Sequence, residues 1–186
     1  MSTTTDPILT ADDVLADVRS SARAMIRGGC CTFDQVLTRA LELAVLADDV
    51  PRAGCVERVV RQEWDAQAAA LTASDGDGPS DDVRIERAFA ELERAGIATR
   101  LGWSCCPECG ESELRRLVPD RSDYAFVTQP DLERLAAGTI VVRCSSPEVA
   151  RKAAAALVDQ GLDAHDDGDV VTVRITEWRK RLPEAA

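Results

Sequence analysis

The chain has 186 residues and a formal charge of −11, spread as −6 over residues 1–80 and −5 over residues 81–186, enough chain for one domain or a small one with a helical attachment. Acidity this even repels phosphate backbones and argues against nucleic acid as a partner. No apolar run reaches the roughly 20 residues of a membrane helix, and the start, MSTTTDPILTADD, has neither the basic nor the apolar region of a secretory signal, so its seven cysteines, an odd number, predict reduced thiols in a cytoplasmic protein that contacts no membrane.

Taken in chain order, Thr10 with Asp13 three residues on predicts a capped helix start, and Val14, Leu15, Val18, Ala22, Met25 and Ile26 recur at helical spacing until Gly28-Gly29. Thr32 with Gln35 is a second capping box, opening a helix to about Asp48. A third helix near Arg52–Leu71 carries Val56, Val59, Val60 and Trp64. Three short-looped helices imply a small antiparallel bundle. Ser74–Ser80, SDGDGPS, consists of turn-formers and acids and marks the boundary of the chain.

Beyond it Ser80 should cap a helix with Asp81 and Asp82 in its first turn, where the positive end of the dipole favours acids. Ile97, Thr99, Leu101 and Trp103 alternate with Ala98, Arg100 and Gly102 and predict a strand apolar on one side. A short helix near Glu108–Leu117, a strand near Tyr124–Thr128 and a short helix from Pro130 to Gly138 follow. TIVVRC, Thr139–Cys144, reads as a central strand, and Ser146-Pro147 begins a helix that Gly161 stops. The end is a hairpin, about 162–166 and 169–175, turned on Asp167-Gly168. The TIVVRC strand, its helix and the Leu162 strand should form a right-handed parallel unit. The expected fold is α+β: a helical region (10–73), a linker (74–80) and a mixed α/β sandwich (81–178) whose sheet is mostly parallel with a C-terminal hairpin.

From Arg84 to Gly110 the chain reads RIERAFAELERAGIATRLGWSCCPECG. Here it resembles a bacterial family known only as a domain of unknown function, common in GC-rich Gram-positive bacteria. The shared features are an AF-x-x-L-x-x-x-GI core followed by a Cys-rich or polar turn. The resemblance runs from about Leu15 to Trp178 and is most specific over Asp82–Gly110. It implies no activity. Its members carry a Gln-Asp pair after the middle strand, a position that here reads Gln129-Pro130-Asp131.

Cys106-Pro107-Glu108-Cys109-Gly110 is the stretch with chemistry in it. Read as a metal site, C-P-x-C-G has the shape of a zinc-ribbon knuckle, in which Gly lets backbone N–H groups approach sulfur. One knuckle is half a site. The other ligands would be Cys144, ending the TIVVRC strand, and His165, near the end of the strand parallel to it, giving Cys106, Cys109, Cys144 and His165 as the metal set with Cys105 set aside. Read as a redox site, a C-P-x-C at a helix N-terminus has thioredoxin-like placement, with the dipole lowering the pKa of the first thiol. The plain reading makes these cysteines inert residues capping a helix. Cys30, Cys31 and Cys55 read as packing residues, Trp64, Trp103 and Trp178 as core anchors, and the paired carboxylates as caps and turns.

No nucleophile pairs with His165, the single histidine, and the glycines lack phosphate-loop spacing, so no catalytic residue is nominated. The expected function is a non-enzymatic protein-binding or regulatory module with a protein partner and no cofactor. The alternative is a thiol protein whose turn binds zinc or is redox-active. Limited proteolysis should nick Ser74–Ser80 first and leave a larger stable fragment beginning near Asp81, because exposed, turn-rich acidic segments are cut earliest. First cleavage within Ile97–Cys144 would refute this division of the chain.

Overall fold

Both capping boxes form. In the computed structural model, which describes residues 10–45, 51–73, 78–118 and 123–183, the Asp13 N–H donates to Thr10 Oγ1 and the Thr10 N–H to the Asp13 carboxylate, starting α1 (Ala11–Gly28). Thr32 and Gln35 exchange the same pair of bonds at 2.8 and 3.3 Å ahead of α2 (Phe33–Val45). These two helices pack with α3 (Ala53–Ala73) around Val18, Ile26, Val36, Val56 and Val60, and Phe33 meets Trp64 edge-on at 5.6 Å. The buried Glu63 of α3 accepts from Arg23 and Arg19 of α1. Residues 74–77 of the expected linker lie outside the described residues.

The rest of the chain alternates helix and strand: α4 (Asp81–Arg94), β1 (Ala98–Arg100), α5 (Pro107–Leu117), β2 (Tyr124–Phe126), α6 (Gln129–Glu133), a 3-10 turn (Leu135–Ala137), β3 (Thr139–Cys144), α7 (Pro147–Asp159), β4 (Ala164–Asp167) and β5 (Val170–Arg174). The fold class is α+β, and the five strands form one mixed sheet in the order β1-β2-β3-β5-β4.

The sheet is not mostly parallel. Only β1 and β2 pair in parallel, and β2–β3, β3–β5 and β5–β4 are all antiparallel. β3 and β4 do run the same way, as the crossover through α7 requires, but they are not neighbours, because β5 folds back into the slot between them. Burial explains the insertion. β5 carries Val171 and Val173, both fully buried, and suits the interior. β4 buries only Ala164 and exposes His165, Asp166 and Asp167, which suits an edge. The hairpin turns one residue later than expected, on Gly168-Asp169, with Asp167 opposite Val170; Gly168 supplies the positive φ of 64° at the first turn position.

Helices α4 and α7 cover one face of the sheet, with Ile85, Phe89, Ala153 and Leu157 packed over Ile140, Val142, Val171 and Val173. On the other face α5 sets Leu114 against Ala98, Tyr124 and Phe126. This second cover buries Ala98 completely, although alternation placed it on the polar side, and β1 is three residues long where seven were expected. Among the described residues no helix is long and apolar enough to cross a membrane.

Residues 176–183, which follow the last strand without regular structure, form a strap along the start of α4. Asp81 Oδ2 accepts from the N–H groups of Thr176 (2.7 Å) and Glu177 (2.9 Å) and from the Thr176 hydroxyl (3.1 Å), while Asp82 Oδ1 accepts from the Arg179 N–H at 2.9 Å. The Asp81 N–H donates to the Glu177 carbonyl at 2.8 Å. Beyond these bonds Leu182 packs on the N-terminal helices. The two acids are 3% and 4% exposed, so they serve the strap more than the solvated dipole, and Ser80 makes no side-chain cap bond. Asp81→Ala, which strands three donors, should destabilise by roughly 2–4 kcal/mol in urea unfolding, and Asp82→Ala, which strands one, by roughly 1–2 kcal/mol. Near-zero costs for both would show that the strap carries no stability.

Candidate functional site

The segment between β1 and α5 is bent hard and held from behind. Gly102 (φ 66°) and Ser104 (φ 59°) both take left-handed backbone, which for a residue with a Cβ costs on the order of 1–3 kcal/mol. Hydrogen bonds on either side fix the bend: the Trp103 N–H donates to the Val127 carbonyl at 2.8 Å, and the Ser104 carbonyl accepts from the Gln129 N–H at 3.2 Å. The chain then enters α5 with Cys106 as N-cap and Pro107 in the first turn, where its missing N–H is no loss.

Cys106 caps through sulfur, its Sγ accepting from the Cys109 N–H at 3.4 Å. The bend at Ser104 swings Cys105 back towards this turn, so the Sγ atoms of Cys105, Cys106 and Cys109 all lie within 4.8 Å of one another, with Cys105 and Cys109 exposed and Cys106 half-buried. Gly110 has a packing role that the sequence did not suggest. A Cβ there would stand 2.6 Å from the Phe126 ring, so the residue is bare because β2 fills its space.

Hydrogen bonds to Cys106 and Cys105, and the charge these two neighbours would carry, push the Cys109 thiol up to about 12. That is the reverse of an activated nucleophile. Glu108 is held below the usual carboxylate range, first by its own backbone N–H, then by the Cys106 thiol, and further by the Arg143 charge. Arg143 Nη2 also stands 3.8 Å from the buried Asp131, which the Thr128 hydroxyl (2.5 Å) and Arg134 (2.8 Å) already engage. Thr128 thus caps α6, and Asp131, one half of the Gln-Asp position, holds its hydroxyl. Trp103 Nε1, Ser104 Oγ and Arg143 Nε, all flanking the turn, are buried without a hydrogen-bond partner.

The expected ligand set of Cys106, Cys109, Cys144 and His165 is not brought together. Because β3 runs antiparallel to β2, Cys144 ends its strand alongside Ala125, towards the start of β1, whereas the cysteine turn leaves β1 at its far end. Cys144 is buried in the main core, and burial, with the Asp169 charge behind it, pushes its thiol up to about 12. His165 is exposed on β4, the strand at the opposite end of the sheet order from β1, and its Nε2 pairs with Asp163 at 2.9 Å. Cys105, set aside on sequence grounds, supplies the third thiol. The signal that could have found it is the Pro at the first helical position, which makes Cys106 an N-cap and turns the residue before it out of line with β1.

Two of the remaining cysteines, Cys30 and Cys31, pack against the core. Cys31 is buried and pushed up to about 11, chiefly by desolvation, and Cys30 lies against the Gly102 backbone. A groove of about 850 Å³ between α3, α4 and the strap is lined by Leu71, Val83, Leu182 and the paired Glu86 and Lys180, and by no cysteine or histidine. Alkylation of the native protein at neutral pH should modify the exposed turn and leave Cys31 and Cys144 untouched until denaturant is added, read peptide by peptide in a mass spectrometer. Labelling of Cys144 at the rate of the turn would contradict its place in the core.

The sequence model of a family described only as a domain of unknown function (DUF6891) matches residues 11–182, which takes in every helix and strand described above. No curated protein and no solved structure matches the chain. The match agrees with the resemblance read at Arg84–Gly110, and with that coverage the chain belongs to the DUF6891 family.

Proposed function

We propose that the protein is a non-enzymatic regulatory module whose working part is the cysteine turn, where Cys105, Cys106 and Cys109 take up one thiophilic divalent metal ion of the zinc class. The observation that carries this reading is the convergence of three thiols within 4.8 Å on a short, exposed turn. Thiolates bound to zinc at about 2.3 Å in tetrahedral array lie roughly 3.8 Å apart, so the turn needs a contraction of an ångström or less to close on an ion. The N–H bond to Cys106 sulfur and the strained Ser104 are the kind of fixed scaffold a metal turn uses.

Support for a non-enzymatic role comes from the way the acids are engaged. Asp81 and Asp82 hold the strap, Asp131 holds the hydroxyl of the cap residue Thr128, and Glu63 ties α3 to α1. The reading places the protein in a cytoplasm, where free thiols persist, and gives it a protein partner whose engagement depends on the loaded turn. Cys30 pressed against Gly102 links the turn to the junction of α1 and α2, a route by which ordering of the turn reaches the helical region.

Purified under reducing conditions and reconstituted with zinc, the protein should hold near one equivalent after desalting, and the Cys105→Ser, Cys106→Ser, Cys109→Ser triple variant near none. With free zinc at a hundred times the dissociation constant, binding adds about 2.7 kcal/mol. For a chain of this size that raises the melting temperature by roughly 5–10 °C. Zinc content in the wild type no higher than in the triple variant refutes the reading.

A further inference from the structure

The thiols of the cysteine turn form a triangle with no fourth corner. The Sγ atoms of Cys105, Cys106 and Cys109 lie within 4.8 Å of one another, and among the described residues no further cysteine, histidine or carboxylate atom joins the group. A tetrahedral zinc ion held by three protein ligands keeps its remaining position open for an outside ligand. An ion satisfied by three sulfurs needs nothing more. Trivalent arsenic is of that kind: it is soft enough to prefer sulfur to water, it forms three bonds in a pyramid, and its lone pair takes the fourth direction.

The turn suits such an ion in access and in rigidity. Cys105 and Cys109 are exposed and Cys106 is half-buried, so the triangle is open to capping from the solvent side. The Cys109 N–H bond to Cys106 sulfur, Pro107 in the first turn of α5, and the backbone bonds of Trp103 and Ser104 fix the chain on both sides of the thiols. The donors also sit on five consecutive residues, Cys105–Cys109. Once one sulfur has bonded, the second and third bonds form within the molecule at high effective concentration. Among the described residues the other cysteines build no second group of this kind.

We propose that the turn binds arsenous acid, the trivalent oxyacid of arsenic, through Cys105, Cys106 and Cys109. This goes beyond the divalent-ion reading: it uses the same thiols but a different ion. The step is a ligand exchange without redox. Each of the three arsenic–oxygen bonds gives way to an arsenic–sulfur bond, and each thiol proton leaves on the departing hydroxyl as water. Arsenic stays trivalent, three waters are released, and the bound centre is neutral, so it calls for no compensating charge.

The test uses the full chain, metal-free and reduced with a phosphine, since a dithiol would compete for the ion, with sodium arsenite as the probe. Equilibrium dialysis should find one arsenic per chain in the wild type and in Cys55→Ser, whose thiol lies on α3. Cys105→Ser and Cys109→Ser, both at exposed positions, should bind at least about tenfold more weakly, since even the loss of an outer partner costs that much at a metal site. Arsenic-edge X-ray absorption should show three sulfur neighbours and no oxygen in the wild-type complex, and two sulfurs with one oxygen in Cys105→Ser. Two sulfurs and an oxygen in the wild type overturn the proposal. So does undiminished affinity in the two turn variants, or an equal loss in Cys55→Ser. Zinc is read separately: arsenite held by three sulfurs in a chain that takes up no more zinc than the triple variant removes the divalent-ion reading and leaves this one standing, and a chain that holds zinc but no arsenite does the reverse.

Discussion

The bonds between Asp81, Asp82 and the segment 176–179 close the structure on itself. A helix leaves its first N–H groups unmet, and here the chain's last stretch returns to deal with them, the Glu177 carbonyl taking the Asp81 N–H while both carboxylates collect donors from the strap. A carboxylate this buried is tolerable only because its partners are several and close. The same strap runs on to the N-terminal helices through Leu182, and Lys180 reaches the turn at Gly29. Sheet, α4 and helical cluster therefore share one seam. α1 reaches the α/β part a second time where Gly28 lies against Leu132 of α6.

Against that seam the cysteine turn is a small, locally determined object. Its shape comes from three neighbours in sequence, a left-handed serine, an N-cap cysteine and a proline in the first turn, and from backbone bonds to Val127 and Gln129 that keep the bend from relaxing. The strain at Ser104 is offset by those bonds and by the close seating of Gly110 on Phe126. Crowding by Cys106 and Cys105, through their hydrogen bonds and the charge they would carry, is why Cys109 is raised to about 12 although it is exposed.

Much of this was legible in the sequence where the signal was local. Thr10–Asp13 and Thr32–Gln35 fixed two helix starts because a capping box needs only four residues, and the apolar spacing of α1, α4 and α7 placed their buried faces. The sheet's direction was not legible. A helix between two strands specifies that they run alike, but not that a third strand will enter between them, and that outcome turned on the contrast between Val171-Val173 and Asp166-Asp167. The partners of Asp81 and Asp82 lie about 95 residues further on, beyond any pattern that periodicity can show. The thiol cluster fell between the two cases: its turn was visible, while the distant ligands Cys144 and His165 were assigned on a strand arrangement that the sheet does not adopt.

The insertion of β5 also decides what the molecule presents to its own copies at high concentration. It leaves at one rim of the sheet a strand of four residues whose outward positions are His165, Asp166 and Asp167. A second sheet that tried to extend the ladder there would have to lay its backbone beside two carboxylates, on a template too short to repay the loss of their hydration. At the other rim β1 offers only three residues. Had the sheet been built the other way, with the valine-rich strand outermost, the same composition would have carried an adhesive border. The order of two strands in a hairpin thus guards the fold against fibre growth.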